Sequence, residues 1–398
     1  MLSKAIKRVI FFVQTTFNLR DYQRFGIRLM RENGFDVEVW DLNLILNPEL
    51  FQSYIPTDAF DNDVVVLFNH RQKVYDKLSN LSHRDFVINT IPYTFSSLWI
   101  YRALSKTDAD YAVFYGGALP YPIDEKGCLH FFMDKLKGLA SFRYLSAWKR
   151  LFIKLPSSFF SVKPASLILA GSEKYLSYKR YFDFPVCKNT ETLLGHALDY
   201  DIYLEEKDKP CQEKSTAVFI EDFFPFDPDY IMRGEEFPID ADTYYSSLNN
   251  FFDIVEDKLG LEVVVAAHPR AGEGGENYFR SRNYIRGKTL NLVRESRLVM
   301  THCSTAVSFA VFFYKPVIFM THSNFNNRHE GYRIKAMADE FKKDPVLVDH
   351  YSDNINLKSE LTVDRIIYDR YRNNYIKPED GKDLPFWQIV SDRLKKGF

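Results

Sequence analysis

Cysteine is scarce in this chain of 398 residues: Cys128, Cys187, Cys211 and Cys303 stand far apart, and none belongs to a CxxC pair. That spacing excludes a zinc-ribbon site and a disulfide scaffold, and a reducing compartment follows. Long apolar runs are missing as well. Nothing approaches the ~18 residues a membrane-spanning helix requires, and the N-terminal run Val9–Val13 is too short for a signal peptide's apolar core. A cytoplasmic location is expected. Neither sign of charge dominates, with 52 Lys+Arg against 53 Asp+Glu and a formal net charge of -1. Nucleic-acid-binding proteins normally carry a basic surplus, so nucleic acid is not an expected partner.

What is present is globular composition rich in rings: 46% hydrophobic residues, with 35 Phe and 25 Tyr, enough for two cores. Short apolar runs alternate with helical patterns. The spacing predicts strands at Arg8–Gln14, Asp36–Leu42, Val64–Asn69, Phe86–Ile91 and Tyr111–Tyr115, with one helix from Asp21 to Asn33-Gly34. The polar run Glu205–Lys214 interrupts this pattern. Strands then resume at Ala217–Glu221, Glu262–Ala267, Leu298–Thr301, Pro316–Met320 and Val346–Asp349, beside a long helix Ala241–Leu259. Near-continuous apolar strands separated by helices mean parallel sheets covered on both faces. The expected class is α/β, with two doubly wound Rossmann-like domains facing a cleft. Their bounds are 1–204 and 215–380, joined by a linker at 205–214. A C-terminal helix within 381–398 is expected to pack back on the first domain.

Open α/β sheets bind ligands beyond the carboxyl ends of their strands, which selects the candidates. In the second domain His268-Pro269-Arg270 ends one strand, and His302-Cys303-Ser304-Thr305 joins another to a helix. Free N–H groups and hydroxyls at such a turn suit a phosphate. Gly287-Lys288-Thr289 lets backbone approach a nucleotide, and Arg270 and Arg286 are candidate phosphate contacts. Glu221 and Asp222 end the domain's first strand, where a carboxylate can deprotonate an acceptor hydroxyl. Acceptor-side candidates in the first domain are Gln14, Thr15, Asn69, His70, Gly116 and Gly117. No Asp-x-Asp pair sits where a metal site would: Asp61-Asn62-Asp63 and Asp108-Ala109-Asp110 precede strands, Asp227-Pro228-Asp229 lies in a loop, and Asp240-Ala241-Asp242 opens a helix. Neither metal nor cofactor is expected.

The order strand–His268-Pro269, strand–His302-x-Ser304-Thr305–helix, Lys315-Pro316–strand resembles the C-terminal half of inverting glycosyltransferases of GT-B architecture. It is similar in particular to bacterial sialyltransferases, polysialyltransferases and capsule Kdo transferases, with their HP and SS/ST motifs. The resemblance covers Val263–Met320. It implies that His268 assists departure of a nucleotide and that Ser304 and Thr305 hold the donor phosphate. The acidic motif those families carry in the N-terminal half has no counterpart here: the matching position reads Tyr115-Gly116-Gly117. Teichoic-acid type glycerophosphate transferases share the HP and Ser-Ser pattern. The expectation is metal-independent, inverting transfer from a nucleotide-sugar, a CMP-activated acidic sugar above all, to a glycan or glycolipid acceptor of a bacterial surface polysaccharide. A polyol-phosphate transferase and a non-catalytic nucleotide- or sugar-binding component of an assembly complex are the alternatives.

The stretch Lys135–Ser172 contains no acidic residue and interleaves Lys135, Lys149, Arg150 and Lys163 with Trp148, Phe152 and Phe159. Basic residues alternating with aromatics suit peripheral contact with anionic lipid, centred on 135–163.

Overall fold

The computed structural model describes residues 5–53, 63–115, 119–120, 157–177, 185–227, 230, 236–271, 274–350 and 356–397. They divide into two compact units. Residues up to Tyr115, those from Ser157 to Leu198, and those from Pro378 onward form the first; Asp199–Lys377 forms the second.

The first unit is built on seven parallel strands: β1 (Arg8–Val13), β2 (Asp36–Asp41), β3 (Val65–Leu67), β4 (Asp85–Asn89), β5 (Asp110–Tyr115), β6 (Leu167–Ala170) and β7 (Glu191–Leu194). Their order is β3-β2-β1-β4-β5-β6-β7, with β1 in register between Val37 of β2 and Phe86 of β4 at Val9. Strand period two divides the apolar side chains between two cores. Ile10, Phe12, Trp40, Val87 and Tyr111 fill one face, beneath α5 (Arg71–Leu78) and α6 (Leu98–Leu104). Val9, Phe11, Val39, Ile88 and Leu169 fill the other.

On that second face the helix expected from Asp21 to Asn33 is two: α1 (Leu19–Arg24) and α2 (Ile27–Glu32). Gly26 breaks it in the left-handed region at φ 54°, and a Cβ there would lie 2.6 Å from the Trp387 ring. Trp387 comes from the C-terminal helix Phe386–Leu394, packs 5.2 Å from the Phe11 ring, and donates its indole N–H to Arg24 O at 2.5 Å. That helix therefore belongs to the first unit's core. Between α2 and β3 lie α3 (Asn43–Leu46) and α4 (Pro48–Ser53), and α7 (Glu173–Ser177) follows β6.

The second unit begins with α8 (Asp199–Glu206), so Glu205 and Glu206 of the expected linker are helical. Its six parallel strands are β8 (Thr216–Ile220), β9 (Glu262–Ala266), β10 (Asn283–Ile285), β11 (Leu298–Thr301), β12 (Val317–Thr321) and β13 (Val346–Leu347), in the order β10-β9-β8-β11-β12-β13. The long helix α9 (Ala241–Leu259) follows β8. Its Asp240 side chain accepts the Thr243 N–H at 2.8 Å, and Gly260 closes it at φ 63°. Tyr244, Leu248, Phe251, Phe252 and Val255 form its buried stripe. After it come α10 (Thr289–Glu295), α11 (Val307–Phe312), α12 (His329–Glu340) and α13 (Arg365–Tyr371); the helix at Phe386–Leu394 is α14.

Candidate functional site

The sheet order of the second unit sets β9, β8 and β11 side by side, so the residues just past their carboxyl ends share one edge. Those residues are His268, the pair Glu221-Asp222, and the turn His302–Thr305. The middle of each strand is apolar and buried, and the polar side chains gather just past its carboxyl end.

His268 is half-buried and held from three sides. Its N–H donates to Glu221 Oε2 at 2.9 Å, and its Nδ1 accepts the Arg270 N–H at 3.2 Å. With Nδ1 used as an acceptor, the neutral ring carries its proton on Nε2, so it is a donor there. The Phe223 ring lies parallel to the imidazole, 5.8 Å between centroids and 9° between planes. Phe223 does this from the left-handed region at φ 55°, a conformation that costs a non-glycine residue on the order of 1 kcal/mol or more. Pro269 is exposed beside it.

The two carboxylates are turned largely to the frame of the site. Glu221 is 3% exposed, and besides His268 it accepts the Tyr284 hydroxyl at 2.9 Å. Burial pushes its carboxyl up to about 7, against the pull of those donors and of Arg286. Asp222 is densely surrounded yet keeps some surface; it accepts the His302 N–H at 3.0 Å and the Thr301 hydroxyl at 3.4 Å. Burial lifts it to about 6. Asp222 therefore fixes the turn that presents Ser304 and Thr305. Ser304 is half-buried, its Oγ accepting the Ala306 N–H at 3.4 Å, and Thr305 is exposed.

His302 departs from expectation. Its ring is fully buried, Nδ1 donating to Met320 O at 2.7 Å and Nε2 accepting the Tyr244 hydroxyl at 2.9 Å. Burial pushes its imidazole down to about 4, so it is a neutral core histidine rather than a nucleotide contact. Arg270 pairs with Asp227 at 3.1 Å. Arg286 is exposed, with its guanidinium 5.2 Å from the Tyr284 ring centroid and a hydrogen bond to Ala271 O. Gly287, at φ 69°, joins β10 to Thr289, the first residue of α10. Phe223, Asp227 and Tyr284 are the residues sequence reasoning missed as parts of the site. For Phe223 and Asp227 the only signal was the density of aromatic and acidic side chains in Phe219–Asp227; Tyr284 lies outside that segment and gave none.

In the first unit, Gln14 and Thr15 are half-buried just past β1, and Asn69 and His70 are exposed before α5. Gly116 and Gly117 lie outside the described residues, as does the basic stretch up to Pro156. Lys163 lies inside them and is not presented to a lipid surface: its ammonium donates to Thr107 O at 3.1 Å and Ala109 O at 2.6 Å. No helix among the described residues is long and apolar enough to cross a membrane.

No protein-family model matches the chain, and no curated protein matches it in sequence. Solved structures do match. The wall teichoic acid polymerase TagF superposes over 98% of this chain and 89% of its own, with a TM-score of 0.51 and 13% identity. The fold is GT-B. A form of TagF soaked with CDPG matches with a TM-score of 0.51 at 12% identity, over 98% of this chain and 88% of that one. A putative UDP-N-acetylglucosamine 2-epimerase from Listeria monocytogenes matches with a TM-score of 0.47 at 12% identity, over 97% of this chain and 95% of its own. Both GT-B sheets of this chain are wholly parallel, as the sequence pattern required.

Proposed function

We propose that this GT-B chain is an inverting glycosyltransferase that moves an acidic sugar from a CMP-activated donor to a hydroxyl of a growing bacterial surface polysaccharide. The observation that carries the reading is the pairing, on one sheet edge, of a braced imidazole with a braced Ser-Thr turn. His268 is held by Glu221 and by the Arg270 N–H, and the turn by Asp222.

In this reading Ser304 and Thr305 bind the donor phosphate. The acceptor oxygen forms a bond to the anomeric carbon as the carbon–oxygen bond to phosphate breaks, and that electron pair stays on the phosphate oxygen. His268 donates from Nε2 to the oxygen gaining charge. Asp222, which keeps some surface where Glu221 is sealed, takes the acceptor's proton. A base of this kind must be ionised, so kcat/KM rises with pH through about 6. None of these steps asks a metal to hold the phosphate.

The test is release of CMP from CMP-sialic acid, CMP-Kdo and a CDP-polyol, with the wild-type chain and His268→Ala. A positioned donor is worth about 10²–10⁴-fold in rate, so the variant should lose that much while melting normally. Binding of donors without turnover by the wild type would make the chain a non-catalytic component instead. Transfer of polyol phosphate is the second reading, favoured by the fold shared with TagF along 98% of this chain. The product separates the two, a glycosidic bond in one case and a phosphodiester in the other.

A further inference from the structure

The first unit carries a groove of about 850 Å³ between α5 and α6; of its lining residues, Arg71 directly follows the acceptor-side candidates Asn69 and His70. On the α6 side it is lined by Trp99 and Arg102 of the helix, Phe95 in the turn before it and Lys106 in the turn after it. Arg71 and Tyr75, one turn apart on α5, form the other wall. Val74, Leu78, Ile100 and Leu104 carry the buried faces of both helices and Trp99 packs partly against the same core, which leaves Arg71, Phe95, Arg102 and Lys106 exposed at the groove.

Two features of that surface point to one ligand chemistry. Phe95 is 73% exposed, and Trp99 stands between the Arg71 guanidinium, 5.0 Å from its ring centroid, and the Tyr75 ring at 5.5 Å. An exposed ring beside a half-buried one suits the C–H face of a pyranose sugar. Around them Arg71, Arg102 and Lys106 are exposed, and none pairs with a carboxylate among the described residues. Arg102 donates to the Phe160 carbonyl, and the lone acid of the groove is Asp108 at its far end. Three uncompensated cations around an aromatic floor select an anion with apolar faces.

We infer that the α5–α6 groove binds an anionic oligosaccharide, one whose repeat bears a carboxylate or a phosphate, and so holds the polymer on the first unit. The role in polymer growth rests on the transferase reading; the binding does not. The volume lies within the ~300–1,000 Å³ usual for ligand sites and exceeds what one sugar ring fills.

The test is calorimetric titration of the full chain with a sialic acid oligomer, a glycerol phosphate oligomer and a dextran oligomer of matched length. At least one anionic oligomer should bind, weakening as salt rises, with dextran at least tenfold weaker. Arg71→Glu with Lys106→Glu should cost at least tenfold in that affinity while cytidine-nucleotide binding and melting temperature stay as in the wild type. Phe95→Ala, an exposed change that cannot unfold the unit, should weaken it several-fold. Equal affinity of the charge-reversed variant, equal affinity for dextran, or no binding of either anionic oligomer overturns the proposal. So does capture by phosphatidylglycerol vesicles that depends on the same residues when no oligomer binds. Oligomer binding without any donor turnover would retire the transferase reading and leave the groove standing.

Discussion

Glu221 is the residue whose replacement reports most directly on how the site is built. Its carboxyl is sealed against Tyr284 and the His268 N–H, and burial raises it from 4.5 to about 7. A raised folded-state value means the protonated form is preferred in the fold. The associated stability is fully present below pH 4.5 and is lost as pH rises through about 7. Between pH 5 and pH 8 the loss comes to about 2 kcal/mol from this group alone. For a unit of this size that is about 4–8 °C in melting temperature. Glu221→Gln keeps the acceptor oxygen and removes the charge. Scanning calorimetry should therefore find the variant close to wild type at pH 5 and more stable at pH 8 by that amount. Asp222, with the same direction of shift, titrates in both proteins and cancels in the difference. Arg286, Tyr245 and Tyr284 also face the group and are unchanged. Parallel pH profiles for the two proteins would refute the reasoning, because they would mean that Glu221 is hydrated and not part of a sealed brace.

Other perturbations separate the ligand-facing residues from the structural ones. Ser304→Ala with Thr305→Ala should leave the melting temperature unchanged and weaken cytidine-nucleotide binding; a hydrogen bond to a charged group is worth about 1.5–3 kcal/mol, and titration calorimetry reads it. His302→Ala should do the opposite. It strands the Tyr244 hydroxyl and the Met320 carbonyl, so chemical denaturation should show a loss of about 3–5 kcal/mol, with turnover per folded molecule retained. Gly26→Ala should cost about 2–4 kcal/mol, from the left-handed backbone and the overlap with Trp387. Trp387→Ala in the same chain should relieve the overlap part, which a double-mutant cycle measures.

Strand positions were legible because each is nearly all apolar and ends at a polar residue: Arg8–Val13 and Glu262–Ala266 fall within a residue of expectation. The break at Gly26 was not, since the pattern Phe25, Ile27, Leu29 and Met30 reads as one continuous helix. What holds residue 26 to glycine is Trp387, remote in sequence, whose ring lies where a Cβ would stand. Nor does anything in Glu221-Asp222-Phe223-Phe224-Pro225-Phe226 say which phenylalanine takes the left-handed turn and lies against His268.

The site shows the same division in sharper form. A motif at a strand end tells that a residue reaches the ligand-binding edge, but not whether its side chain turns outward or back into the core. His268 and His302 are alike in sequence, each following a buried strand of the same sheet. They differ in what the interior offers. Beside His302, α9 brings the Tyr244 hydroxyl within 2.9 Å and β12 presents the Met320 carbonyl at 2.7 Å, so both ring nitrogens are satisfied inside and the imidazole stays neutral. Beside His268, the interior position is already taken by the Glu221 carboxylate, which binds the backbone N–H and leaves the ring to stack on Phe223 at the edge. A buried Glu221 that accepts both the His268 N–H and the Tyr284 hydroxyl thus fixes the backbone from which the neighbouring imidazole projects. In the proposed transfer its part is to orient the donor rather than to act as the base.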